Sequence, residues 1–222
     1  MKLLEKRSKK RFHEINEWVA KFSPMRTHYH SNSFLERNIW GKKKQVVKKM
    51  LDSIKYESVI DTGCGDGGLF SLIKKNSKYI GVDISPTQLK AFKNSLDSTS
   101  NMPVLIEADV NNLPLKDKSF DVAIACDVLE HVIDPLVVIQ EIKRVVKKGG
   151  HIIIGIPNEN LLELVRLITL RFPLRSPDHI YAIYPSDIKK HFPNIIKKVG
   201  VPFNLFLSDL NLLNIFLVKN EG

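Results

Sequence analysis

Residues 58–68, SVIDTGCGDGG, decide the fold of this chain. Ser58–Asp61 is a short apolar run, typical of a buried strand, and it passes directly into a glycine-rich loop. Glycines between a strand and a helix permit a tight turn and let a ligand approach backbone N–H groups at the helix N-terminus. The stretch therefore predicts a ligand-binding turn after the first strand of an α/β fold, followed by a helix over Leu69–Lys75.

Downstream of this loop, strand-like apolar runs alternate with helical patterns. The predicted strands are Tyr79–Asp83, Pro103–Glu107, Phe120–Cys126 and His151–Ile156. Between them the sequence predicts a helix that opens at Ser85-Pro86 and another over Pro135–Lys147. Alternation with connections this short favours a mostly parallel, doubly wound α/β sheet with helices on both faces.

The C-terminal part has a different pattern. Asn160–Phe172 predicts a helix that is apolar on nearly all sides, within a cap insertion over residues 158–185. A helix near Ser186–Phe192 precedes two apolar runs, Val201–Leu207 and Leu212–Val218. These are expected to form an antiparallel pair at the sheet edge, which brings the sheet to seven strands.

The excess positive charge lies in the N-terminal quarter. Residues 1–55 contain 15 Lys and Arg against 5 Asp and Glu, whereas residues 56–222 are balanced. Residues 1–55 are predicted to form a basic helical segment or lid before an α/β domain over residues 56–222, with a helix over Phe34–Leu51. Lys42–Lys44 and Lys48-Lys49 are expected on its polar side. Such a segment suits an anionic membrane or RNA, or it is simply solvated.

Composition excludes several other classes of protein. Cys64 and Cys126 are too few for a disulfide framework or a Cys-rich zinc site. The opening residues lack the apolar core of a secretory signal, and charges interrupt the apolar stretches before about 20 residues. We therefore expect a reduced, cytoplasmic protein, in contact with a membrane at most peripherally.

The glycine loop alone leaves two kinds of ligand open. Gly63, Gly65 and Gly68 also fit the dinucleotide pattern G-x-G-x-x-G, with Asp83 at the position of a ribose-binding acid. Acids follow the other strands as well, at Asp61, Asp109 and Asp127. A crevice lined by these carboxylates suits a ligand with hydroxyls, an amine and a positive centre better than a pyrophosphate.

Four motifs together resemble a known family. VIDTGCGDGG, GVDIS, EADVNNLPLKDKSFDVAIACDVLEHVIDP and EIKRVVKKGGHIIIGIPN follow the order and spacing of class I S-adenosylmethionine-dependent methyltransferases. The resemblance covers about residues 57–157 and is closest to the branch that includes ubiquinone and menaquinone biosynthesis enzymes. It implies a Rossmann-like fold, S-adenosylmethionine as cofactor, S-adenosylhomocysteine as product, and no metal.

The resemblance also implies roles for individual residues around the cofactor. The methionine part would be surrounded by Asp61, Gly63, Cys64, Gly65 and Gly67. Asp83 would hold the ribose and Ile84 would pack on the adenine. Asp109 would bind the adenine amino group with Val110 beside it, while Cys126 and Asp127 would lie near the sulfonium.

The identity of the methyl acceptor is less constrained by the sequence. We expect a small-molecule or lipid-like acceptor, with RNA methylation, using the basic N-terminal segment, as the alternative and a non-catalytic cofactor-binding homologue as a further one. A dehydrogenase is disfavoured because no second domain remains to supply a substrate site.

His131 is the candidate general base, although its position also suits a histidine satisfied by backbone groups; other candidates are His179, Glu130 and Tyr181. Tyr29, Arg37 and Trp40 could contact the cofactor or acceptor.

Overall fold

The computed structural model describes residues 34–96, 102–168, 170, 179–202 and 211–222. Its helices are α1 (Phe34–Asp52), α2 (Pro86–Asn94), α3 (Pro135–Val145), α4 (Glu159–Ile168) and α5 (Pro185–His191), with 3₁₀ turns at Phe70–Leu72 and Leu129–His131. The strands are β1 (Ser58–Thr62), β2 (Lys78–Asp83), β3 (Val104–Glu107), β4 (Phe120–Cys126), β5 (Val146–Pro157), β6 (Ile195–Val201) and β7 (Leu213–Lys219).

The strands form one sheet in the order β3-β2-β1-β4-β5-β7-β6. Strands β1 to β5 pair in parallel, whereas β7 runs antiparallel between β5 and β6. The sequence order reverses between β1 and β4, and a sheet of this kind binds ligands at the carboxyl ends of its strands next to that point. The predicted seven-stranded, mostly parallel sheet with an antiparallel edge pair is confirmed.

Each face of the sheet is covered by helices. Val138, Ile139 and Ile142 of α3 pack into a fully apolar layer on one face. On the other face, Val47 and Met50 of α1 are buried against strand residues. This two-sided burial explains why the central strands are continuous apolar runs. Within the described residues, no helix combines the length and apolar character needed to cross a bilayer.

One local prediction, the helix that follows the glycine loop, is wrong. In place of a helix over Leu69–Lys75, the chain forms a 3₁₀ turn at Phe70–Leu72, with bonds from the Leu72 and Ile73 N–H groups to carbonyls three residues earlier. The turn places the Phe70 ring edge-on to the rings of Tyr79 and Phe92, with centroids 4.9 and 5.5 Å apart.

The partner of β7 in the edge pair is β6, which lies earlier in the chain than the expected strand Val201–Leu207. The strand ends at Val201, and residues 203–207 lie outside the described residues. As the edge strand it carries half-buried and exposed positions, including two lysines, so its apolar signal is weak. Strand β5 also begins at Val146, earlier than expected, directly where α3 ends.

Candidate cofactor and acceptor site

The carboxyl ends of the parallel strands bring the predicted acids to one edge of the sheet. Asp61 lies in β1, Asp83 ends β2, and Asp109 and Asp127 follow β3 and β4. Backbone bonds tie these ends together: the Ala108 N–H donates to the Asp83 carbonyl at 3.1 Å. The arrangement matches the crevice expected from the sequence, while contact of each side chain with a cofactor stays a prediction.

The glycine loop depends on backbone conformations that other residues rarely adopt. Gly63, Gly65 and Gly67 have φ angles of 70°, 53° and 84°. A Cβ atom on Gly63 would lie 2.4 Å from Val128, and one on Gly67 would lie 2.3 Å from the Phe92 ring. Glycine is therefore required at these two positions by both backbone and space.

The Asp83 carboxylate links the glycine loop to the following helix. Its Oδ2 accepts from the Gly65 N–H at 2.8 Å, and its Oδ1 accepts from the Ser85 N–H at 2.9 Å. A carboxylate offers about four lone-pair sites. The same carboxylate that holds the loop in place is therefore the predicted acceptor for the ribose hydroxyls.

Asp61 is a buried carboxyl group beneath the loop. Its side chain is 2% exposed and accepts from the Tyr79 hydroxyl at 2.7 Å. Burial raises the pKa of Asp61 to about 7, although the Tyr79 hydrogen bond and the Lys43 charge oppose the shift. A ligand ammonium group bound nearby would favour the ionised form of this carboxyl group.

Sequence reasoning missed Lys43. It was expected on the polar side of α1, but it is 2% exposed, forms an ion pair with Asp127, and lies 4.5 Å from the Trp40 ring centre. The pair ties α1 to the end of β4, where Asp127 has a φ of 57°. The signal in the sequence was weak, because Lys43 stands in a run of three lysines.

The two cysteines are packing residues at this edge. Cys64 and Cys126 are both buried, and burial raises the pKa of the Cys126 thiol to about 12. A Cβ atom on Gly155 would lie 2.9 Å from Cys126 Sγ, and one on Gly81 2.8 Å from Cys64 Sγ. A thiol so far from ionisation is a poor nucleophile.

The adenine-side candidates lie beyond Asp83. Asp109 Oδ1 accepts from the backbone N–H of Asn111 at 2.9 Å and from its side-chain amide at 2.7 Å. Val110 is buried and Ile84 is half-buried. An apolar wall beside an acceptor group is suited to a purine with an exocyclic amine, as the resemblance implies.

The predicted catalytic residues meet on the other side of Asp127. The His131 ring lies edge-on to the His179 ring, with centroids 4.8 Å apart. His179 Nδ1 lies 2.5 Å from Glu159 Oε1, and both Glu159 and Glu130 are buried. Tyr181, another candidate, is 43% exposed. The structure thus joins three of the four candidate groups, while proton transfer by His131 stays a prediction. Tyr29 lies outside the described residues.

These residues fit the chemical groups of S-adenosylmethionine. The loop glycines let the backbone approach a ligand, Asp83 is an acceptor group at the edge of that loop, and the buried Asp61 carboxyl group suits an ammonium. Asp127 adds a second negative charge close to where the resemblance places the sulfonium. The fold and this donor set define the class I S-adenosylmethionine-dependent methyltransferases.

Comparisons with known proteins agree with this class. A family model described as a methyltransferase domain matches residues 60–154. A magnesium protoporphyrin IX methyltransferase from Synechocystis, crystallised with bound S-adenosylhomocysteine, has the same fold. The TM-score is 0.70 at 19% identity, over 94% of this chain and 99% of that one. The family model agrees with the predicted methyltransferase domain over residues 60–154, and the neighbour that shares the fold binds the predicted product, S-adenosylhomocysteine.

Two curated relatives are similar over the same domain. The ubiquinone biosynthesis O-methyltransferase of Nitrosomonas europaea is 31% identical over 153 residues, which cover 64% of this chain and 64% of that protein. An uncharacterized 37.1 kDa protein of a Streptomyces fradiae transposon is 33% identical over 65% of this chain and 41% of its own length. The chain therefore matches these relatives over less than two thirds of their lengths.

Proposed function

We propose that this chain transfers the methyl group of S-adenosylmethionine to a small, lipid-like acceptor that carries a hydroxyl group. The observation that carries the proposal is an exposed apolar surface beside the carboxyl end of β4. It is formed by α4 and the segment that precedes α5, and we call it the apolar cap. Its members are Leu164, Leu167, Ile168, Leu170, Ile180, Tyr181 and Tyr184, which are 43% to 77% exposed.

The apolar cap is held next to the candidate catalytic residues. The Ile180 and Tyr181 N–H groups both donate to the Glu130 carbonyl, at 2.8 and 3.1 Å. Helix α4 begins directly after the carboxyl end of β5. An acceptor with an apolar chain could therefore cover these side chains while its reactive end points toward His131. Ubiquinone biosynthesis O-methyltransferases among the relatives support an acceptor of this kind.

Methyl transfer requires the protein mainly to position the cofactor and the acceptor. S-adenosylmethionine supplies a methyl group already activated by a positively charged sulfur. The chain's own residues would orient the two reactants and exclude water, which is where most of the rate gain lies. A hydroxyl acceptor must also lose its proton, and His131 is the predicted group that receives it.

The direct test measures S-adenosylhomocysteine formation with three acceptors: a long-chain alkyl catechol in neutral micelles, soluble catechol, and tRNA. We expect turnover with the long-chain catechol at a kcat/KM about tenfold or more above that of soluble catechol. The Leu167→Ser/Ile168→Ser double variant should lose that preference without changing turnover of soluble catechol. Ile196→Ser, at a 54% exposed position on β6, is the matched control.

The other outcomes separate the alternatives. Turnover with tRNA alone would support RNA methylation through the basic N-terminal segment, of which residues 1–33 lie outside the described residues. Binding of S-adenosylhomocysteine without turnover of any acceptor would support a non-catalytic homologue.

Peripheral membrane contact, through exposed lysines such as Lys48 and Lys49 of α1, is part of the proposal. Lack of co-sedimentation with anionic vesicles at low salt would contradict it.

A further inference from the structure

We infer that Glu130, His131 and His179 bind one divalent transition-metal ion at the acceptor side of the site. Two separate segments supply these residues: the 3₁₀ turn after β4 and the segment between α4 and α5. One ligand atom from each residue lies within 4.8 Å of the others. Sequence patterns did not predict this cluster, because 48 residues separate the two histidines.

The buried carboxylate of Glu130 needs a partner. The residue is 1% exposed, and its Oε2 accepts no hydrogen bond from any residue in the described ranges. A buried polar atom without a hydrogen-bond partner destabilises the fold, because it loses its contacts with water and gains none in return. A cation at this position would satisfy the carboxylate.

His179 is held in the orientation that metal-binding histidines adopt. Its Nδ1 lies 2.5 Å from the carboxylate of the buried Glu159, which leaves Nε2 for a ligand. Histidine ligands commonly donate their second nitrogen to a carboxylate, which fixes the ring and raises its basicity. The two N–H bonds from Ile180 and Tyr181 to the Glu130 carbonyl hold this segment against the 3₁₀ turn.

The ligand types favour zinc or a similar transition metal over magnesium or calcium. Two imidazole nitrogens and one carboxylate form the donor set of catalytic zinc sites and of many iron(II) sites. Bonds of about 2.1 Å in a tetrahedron place ligand atoms about 3.4 Å apart. Closing the cluster therefore requires a contraction of about 1 Å, within reach of side-chain rotations.

Three protein ligands leave a coordination position open. If the proposed function holds, an oxygen atom of the acceptor is the group of the right chemistry to fill it. His131 would then act as a metal ligand in place of the predicted base. The metal would favour the ionised form of the acceptor hydroxyl, and the proton would pass to solvent. Binding of the metal itself does not depend on that step, so it can be tested without an acceptor.

The test is calorimetric titration of the full chain with Zn²⁺, supported by the visible absorption of bound Co²⁺. We expect one equivalent of Zn²⁺ to bind in the wild type and in His191→Gln, a histidine variant on α5. His179→Gln and Glu130→Gln should each lose that equivalent, with affinity about 100-fold lower or more. Glu159→Gln should weaken it about 10- to 100-fold, because Glu159 only orients a ligand.

S-adenosylhomocysteine affinity, measured on the same variants, shows whether they are folded. Unchanged Zn²⁺ binding in folded His179→Gln and Glu130→Gln would overturn the inference. If these two variants fail to fold, Glu159→Gln provides the test. Unchanged Zn²⁺ affinity in Glu159→Gln would then overturn the inference. Zn²⁺ binding without methyl transfer would leave the metal site intact and contradict only the proposed function.

Discussion

Replacing Lys43 by Met should destabilise the fold and weaken cofactor binding together. The side chain of Lys43 is 3% exposed, and its partner Asp127 is 12% exposed. Met keeps the apolar stem of the lysine but removes the charge, so Asp127 is left without the buried partner that compensates it. The positive charge that Lys43 provides near Asp61 is also lost.

The size of the effect follows from burial of the pair. Removing one partner of a buried ion pair costs about 3–5 kcal/mol. Since Asp127 keeps some contact with solvent, we expect the free energy of unfolding to fall by an amount near the lower limit, about 3 kcal/mol. For a chain of this length that corresponds to a Tm lower by about 6–12 °C. Urea unfolding followed by circular dichroism measures the free energy of unfolding. Calorimetric titration with S-adenosylhomocysteine measures the affinity for the cofactor product.

Lys42→Met is the matched control, because Lys42 is the preceding residue of the same helix but is exposed. Lys42→Met should change the free energy of unfolding by no more than about 0.5 kcal/mol. The Lys43→Met/Asp127→Asn double variant should recover part of the lost stability, because it removes the uncompensated charge. Equal stability of the two lysine variants, or a double variant no more stable than Lys43→Met, would refute the reasoning.

Three further predictions concern the glycine loop and its acids. Because the pKa of Asp61 is about 7 in the folded chain and 3.8 as its ordinary value, its contribution to stability is present below about pH 4 and is lost as pH rises through 7. Asp61→Asn should therefore flatten the loss of stability between pH 5 and pH 8 in urea unfolding; an unchanged slope would contradict this. Gly67→Ala should cost about 2–5 kcal/mol, from backbone strain and contact with Phe92, whereas Gly149→Ala, with a φ of 79° in open space, should cost about 1–2 kcal/mol. An equal decrease of Tm in Gly67→Ala and Gly149→Ala would show that the Phe92 ring moves aside without destabilising the fold. Asp83→Ala should lower affinity for S-adenosylhomocysteine at least tenfold in calorimetric titration, because it removes a ribose acceptor and an anchor of the loop; unchanged affinity would rule out the ribose contact.

Features that depend on neighbours in the chain could be predicted from the sequence. Ser85 caps α2, with its hydroxyl accepting from the Gln88 N–H at 3.2 Å, and Pro86 opens that helix. The apolar run Phe120–Cys126 forms the central strand β4 at its predicted bounds. Capping, φ restriction and strand burial act over a few residues, so they leave clear patterns.

The order of motifs also predicted the strand ends that carry the acids. Parallel strands joined by short right-handed connections present their carboxyl ends at one edge, so Asp61, Asp83 and Asp109 were expected together. The hydrogen bonds among these ends agree. The roles of single residues toward the cofactor came from the resemblance, and they await the binding measurements above.

Tertiary packing decided the rest. Burial of Lys43 depends on where α1 lies across the sheet, and the composition of α1 favoured a solvated lysine. The meeting of Glu130, His131 and His179 depends on how the segment after α4 returns to β4, a contact between distant residues. The sequence by itself determined the sheet and the glycine loop through short-range rules, and the cofactor class through the resemblance of its motifs to a known family. Only the folded chain could show which buried charges face one another, because burial and Coulomb interaction depend on distances in space.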